Sequence, residues 1–231
     1  MLGRDWSRYL DLSRPDVRNR FAASRVLLKY AAGAALQVDP ESLELGYRST
    51  GRPYLRGNDT LDISLSHTEG LLLVGITTSG FIGVDVEDAH REFYEAGLAR
   101  HWCTAHELAR VGELAPELRD PELVRLWTLK EAYSKALGLG MQLRFTDFGF
   151  GYEDGRIVAL TAEDTPVGKD DWAFQTYALD ADFTVSTAVY DTGFGGTEDT
   201  AAHTMLDPSL MDALAGVLGD EESPAGDEGG W

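Results

Sequence analysis

The chain has 231 residues, 43% hydrophobic and 10% aromatic, which is enough apolar material for a full core and excludes a disordered chain. Its net charge of −19 is lopsided: residues 191–231 hold ten acids and no Lys or Arg, leaving 29 acids against 20 bases, a net of −9, in residues 1–190. That balance argues against nucleic acid as a partner, and the single Cys103 excludes an intrachain disulfide framework and a thiolate zinc cluster.

No apolar run approaches 18 residues and no charged-then-apolar leader opens the sequence, so a cytoplasmic protein with no membrane contact is expected. The N-terminal part is arginine-rich. Pro15 suits the first turn of a helix opened by Ser13 or Arg14, and Val17, Phe21, Ser24, Leu28, Ala31 and Ala35 repeat at helical spacing to about Leu36. Arg18, Arg25 and Lys29 form a basic face that either meets solvent or meets an anion. Residues 40–54 read as loop, with Arg52 on a turn between Gly51 and Pro53.

Strands follow. Leu61–Ser66 alternates and Leu71–Thr77 is a continuous apolar run, with Ser66–Gly70 a short connection that places His67 at its apex. Phe81–Glu87 is the next strand. Asp85 and Glu87 are two apart, so both carboxylates project from one face. Two acids there repel unless solvated or shared by a cation, and both readings stay open. Residues 91–119 read as one or two helices, with Thr104 and Glu107 as a capping box. Pro116 and Pro121 are expected to break the chain before a helix over Glu122–Leu137, closed by Gly138 and Gly140. Strands are expected at Phe145–Tyr152, Arg156–Thr161, Trp172–Leu179 and Phe183–Tyr190, with Asp154-Gly155 as a hairpin turn. Residues 191–231 read as an acidic tail, with a short helix at 203–218. The class is α+β, in two halves of about 1–80 and 81–190.

Glu131 and Lys135 lie one turn apart on the last helix, a spacing that serves a salt bridge or a shared site equally well. Asp85, Glu87 and Glu131 are oxygen-only ligands, which suit Mg²⁺ or Mn²⁺ rather than zinc. Lys135 would then face the phosphates of a substrate, with Arg25, Arg52 and His67 as further anion contacts.

The set Gly83-Val84-Asp85-Val86-Glu87, followed by Trp127-Thr-Leu-Lys130-Glu131-Ala-Tyr-Ser-Lys135-Ala-Leu-Gly138, resembles the 4′-phosphopantetheinyl transferase superfamily. Gly51-Arg52-Pro53-Tyr54 and Ser64-Leu65-Ser66-His67 look like its Sfp-like, surfactin-synthetase-activating group, and the resemblance covers about residues 18–190. It implies transfer of the phosphopantetheine arm of coenzyme A to a serine of apo acyl or peptidyl carrier proteins, with release of 3′,5′-ADP. It implies a monomer with two pseudo-symmetric halves, each a long helix on a small antiparallel sheet, and the active site in the cleft between them. By the same resemblance Asp85, Glu87 and Glu131 hold Mg²⁺, Glu131 or a water it orients is the base, and Lys135 stabilises phosphate charge. Arg52, Ser66 and His67 match nucleotide positions, and Arg25 matches a basic helix position near the same end of CoA. The lysines that some members carry before the first long helix have no clean match; Arg14, Arg18 or Arg20 stand nearest. Two other readings remain: a Mg²⁺-dependent phosphodiesterase or nuclease, and a non-catalytic CoA- or carrier-binding module.

Overall fold

The alternating and apolar runs do form strands, and the proline- and glycine-bounded periodic segments form helices. The computed structural model describes residues 1–168 and 171–191, so the expected helix at 203–218 and nearly all of the acidic tail lie outside the described residues. By packing, the described chain divides into two compact units, residues 1–42 and 43–191.

The first unit is helical. A short α1 (Trp6–Asp11) precedes α2 (Pro15–Leu36), which takes Pro15 in its first turn and ends where Gln37 turns left-handed at φ 56°. Arg18 anchors the start of α2 by donating from Nη2 to the Leu12 carbonyl over 2.6 Å.

The second unit opens with β1 (Leu45–Tyr47) paired to β2 (Pro53–Leu55), then the hairpin β3 (Asp62–Thr68) and β4 (Leu71–Thr77). Next come β5 (Phe81–Asp88), α3 (Ala105–Glu113) and α4 (Pro116–Leu137). The chain continues through β6 (Phe148–Glu153), β7 (Arg156–Thr161), β8 (Pro166–Val167), β9 (Trp172–Leu179) and β10 (Phe183–Tyr190). The sheets are antiparallel, in orders β5-β10-β9 and β6-β7-β8, so the class is α+β as expected.

Several local expectations shift. The helix expected from Glu122 begins at Pro116 instead, with Pro121 inside it. Pro116 fits the first turn, where a missing N–H costs nothing, and Pro121 lies on the exposed side, so only one ladder bond is lost. Strand β3 runs on to Thr68, so His67 is an exposed strand residue and not a loop apex. Phe145–Asp147 is a 3₁₀ turn, and β6 starts at Phe148. Residues 91–119 yield one nine-residue α-helix before α4, capped by Thr104 and Glu107 as the capping box predicts.

Helix α4 organises this unit. Leu123, Leu126 and Leu129 are fully buried on it, each worth about 1.5–3 kcal/mol of hydrophobic transfer. It lies against β5 and β10, where Thr128 and Ser186 share a buried hydroxyl bond of 2.8 Å. Gly83 permits that approach, since a Cβ there would collide with the Ala132 carbonyl oxygen and the Ala136 nitrogen. On its other edge β5 is held by side chains of β3. Asp62, Ser64 and Ser66, each two residues on, accept from the backbone N–H groups of Ile82, Val84 and Val86 at 2.8, 3.1 and 3.3 Å.

Candidate active site

The β3–β5 seam and α4 bring the acids into one neighbourhood. Asp85 is buried at the middle of β5, its Oδ1 accepting from Ser66 Oγ at 2.6 Å and from Lys135 Nζ at 2.6 Å. Lys135 Nζ also reaches the Val84 carbonyl at 3.2 Å. Glu87, two residues on, pairs with Arg91 and accepts at 3.5 Å from Thr68. Glu131 is partly buried on α4 and takes no hydrogen bond among the described residues.

Burial raises the Asp85 pKa; Lys135 and Ser66 oppose the rise and Glu87 adds to it. Burial likewise raises the Glu131 pKa, with Asp85 and Glu87 adding and Lys135 opposing. The three carboxyls therefore repel one another inside a partly desolvated space. A divalent cation would relieve that repulsion, and the oxygen-only donor set suits Mg²⁺ or Mn²⁺. As the side chains stand, no three acids, histidines or cysteines are gathered into a coordination shell among the described residues. Asp85 turns to Lys135 and Ser66, and Glu87 turns to Arg91.

A cavity of about 610 Å³ is lined by Glu131 and Lys135 of this cluster but not by Asp85 or Glu87, and its lining draws on both sides of residue 80. Its lining includes the charged Glu131, Lys135 and Arg52 and the aromatic Trp102, Trp127 and Phe145. Arg52 is fixed by Asp62 and donates to the Ile82 carbonyl at 2.8 Å, while its Nη1 is buried and takes no partner among the described residues. Trp102 Nε1 is a second buried donor of that kind. Trp127 packs its ring 5.3 Å from Trp102, 5.7 Å from Phe93 and 5.7 Å from Phe145, so it fixes α4 as well as lining the cavity.

The remaining candidates are placed differently. Ser66 serves Asp85 and the Val86 backbone, and is not among the cavity's lining residues. His67 is exposed on β3. Arg25 belongs to the first unit, where its guanidinium stacks 3.6 Å from the Phe21 centroid, donates to Ser24 Oγ at 2.8 Å and meets Asp5 at 3.3 Å.

Sequence reasoning missed Lys130. It is fully buried, pairs with Glu107 at 2.9 Å, and donates to the carbonyls of Phe145 (2.7 Å) and Phe148. Glu107 is more than a cap: it also accepts the Phe150 N–H at 3.0 Å, so one carboxylate joins α3, α4 and β6. The signal was present, as a lysine at an inward helix position among Leu126, Leu129 and Ala132 demands a buried acid.

Residues 81–188 match the family model described as the 4′-phosphopantetheinyl transferase superfamily. The 4′-phosphopantetheinyl transferase HetI of Nostoc sp. is 32% identical over 130 residues, covering 55% of this chain and 55% of that protein. A phosphopantetheinyl transferase of Thraustochytrium sp. is 29% identical, covering 74% of this chain and 64% of the relative. A 4′-phosphopantetheinyl transferase of Bacillus subtilis is 24% identical, covering 68% of each. The chain thus spans about half the length of the Nostoc relative and under two thirds of the Thraustochytrium one. The matched segment holds Asp85, Glu87, Glu131 and Lys135, so the superfamily expected from the sequence is borne out for residues 81–188.

Proposed function

We propose, taking the place of residues 81–188 in the 4′-phosphopantetheinyl transferase superfamily as premise, that this chain transfers the phosphopantetheine arm of coenzyme A to a serine of an apo acyl or peptidyl carrier protein. The observation that carries the reading is a single cavity presenting Glu131 and Lys135, one turn apart on α4, together with Arg52.

The serine Oγ attacks the phosphorus that bears the pantetheine. A new P–O bond forms there, the bond to the departing phosphate of 3′,5′-ADP breaks, and the serine proton passes to Glu131 directly or through one water. Asp85, Glu87 and Glu131 would hold Mg²⁺, which when bound supplies charge neutralisation on the pyrophosphate. Lys135 and Arg52 place positive charge against the phosphate oxygens, where transfer of this kind gains most from positioning and electrostatics. Ser66 orients Asp85 through its short hydrogen bond. His67 is the further anion contact assigned to the nucleotide end.

The protein acts as a cytoplasmic monomer on this reading; no helix among the described residues is long and apolar enough to cross a membrane. Acidic carriers meet an acidic chain, so docking depends on a local patch and not on overall attraction. Incubating the protein with Mg²⁺, CoA and apo carriers, then following 3′,5′-ADP release, tests the reading. Release that depends on the carrier is expected; its absence with every acyl and peptidyl carrier tried contradicts it.

A further inference from the structure

Both strand carboxylates of the site are met by a cation of the chain's own. Lys135 Nζ lies 2.6 Å from Asp85 Oδ1, and Arg91 is paired with Glu87. Lys135 is partly buried and Arg91 is exposed, but the acids they meet are withdrawn from solvent. The side chains of Asp85 and Glu87 are 8% and 14% exposed, and an acid so desolvated is costly without a positive partner. Arg91 is steadied from behind, its guanidinium 4.7 Å from the Phe93 centroid and 5.9 Å from that of Trp127. Trp127 in turn lines the cavity. Glu131, the third carboxylate, takes no hydrogen bond among the described residues.

The charges balance in an informative way. Two side chains contribute the same positive charge as one divalent ion, and they sit on two of the carboxylates that would hold such an ion. We propose that Lys135 and Arg91 are resident counter-cations, which hold the places of the divalent cation on Asp85 and Glu87 until it arrives. Entry of the cation and departure of the two side chains are then one exchange. The exchange leaves the carboxylates neutralised throughout and frees two positive side chains beside the cavity for an anionic substrate. Divalent cation and phosphate-bearing ligand therefore bind with positive coupling, and the substrate-free protein holds the cation weakly. This assigns Arg91 a role at the site, as a positioning residue acting through Glu87. The inference rests on the metal reading given above.

Binding of Mn²⁺ alone to the substrate-free protein, read from the free-ion electron paramagnetic resonance signal, separates the two. Arg52→Gln serves as the control, because it removes one positive charge at the same cavity but from a guanidinium paired with Asp62. A side chain that occupies the ligand in most molecules lowers apparent affinity by the fraction left competent, so Lys135→Met is expected to tighten Mn²⁺ binding on the order of tenfold. Arg91→Gln, removing a more exposed partner, is expected to tighten it about threefold. Arg52→Gln is expected to leave it within about twofold, the share owed to charge at a distance. Lys135→Gln repeats the measurement should Lys135→Met fail to fold by circular dichroism. Lys135 and Arg91 variants that bind Mn²⁺ no more tightly than Arg52→Gln overturn the exchange while leaving the metal reading standing. Absence of Mn²⁺ binding in the wild type and in every variant overturns both.

Discussion

Ser66 Oγ donates to Asp85 Oδ1 over 2.6 Å while accepting the backbone N–H of Val86, so a single buried hydroxyl ties a site acid to the strand that carries it. Replacing it removes a donor from a buried carboxylate and an acceptor from a buried N–H. Ser66→Ala is therefore expected to cost about 1–3 kcal/mol of stability, read by urea unfolding. Transfer is expected to fall as well, since Asp85 loses the group that orients it. A variant as stable and active as wild type contradicts the assigned role.

Gly83 is where β5 meets α4. A methyl there would drive into backbone atoms of Ala132 and Ala136, which cannot rotate aside as a side chain can. Overpacking of a flexible contact costs about 1–3 kcal/mol, so Gly83→Ala is expected to reach or exceed about 3 kcal/mol in thermal or urea unfolding. Because α4 carries Glu131 and Lys135, folded material is expected to be impaired in turnover too.

Lys130 and Glu107 form a fully buried pair. Removing one partner strands the other, so Lys130→Met and Glu107→Gln are each expected to lose about 3–5 kcal/mol. The double variant is expected to lose less than their sum. Burial lowers the Lys130 pKa despite the pull of Glu107. Between that lowered value and the ordinary lysine range the unfolded chain holds the extra proton, so wild-type stability relative to Lys130→Met is expected to rise with pH across this window. Denaturant midpoints measured at successive alkaline pH values check the sign.

Cys103 is buried, and burial, assisted by Glu107, pushes its thiol up to about 12. The thiolate is the reactive form, so the native protein at pH 8 is expected to resist thiol reagents and to react only on unfolding. Rapid labelling of the folded chain contradicts this placement.

The parts of this fold that follow from local periodicity were legible in the sequence. The alternation read at Leu61–Ser66 marks the strand that runs over Asp62–Thr68, and the Thr104 capping box and the Asp154-Gly155 turn appear where spacing places them. The pairing of Asp85 and Glu87 on one strand face, and of Glu131 and Lys135 on one helix, was equally readable. What escaped is what depends on the third dimension. Pro121 reads as a breaker, yet tertiary packing of the leucines behind it carries α4 through. Lys130 stands at an inward position of α4, but no spacing names Glu107 of α3 as the acid that meets it. No spacing rule reveals that Lys135 turns to Asp85 or that Arg91 turns to Glu87, since each partnership is chosen by the desolvation of the acid.

The central claim is that Glu131 serves transfer of a phosphopantetheine group. Glu131→Gln keeps the size of the side chain and removes its charge. Intact-mass measurement of an apo carrier panel, after incubation with CoA, Mg²⁺ and either protein, tests the claim most directly. The wild type is expected to add one phosphopantetheine to at least one carrier and Glu131→Gln, folded as judged by circular dichroism, to add none. Carriers left unmodified by the wild type, or modified equally by both proteins, contradict the account.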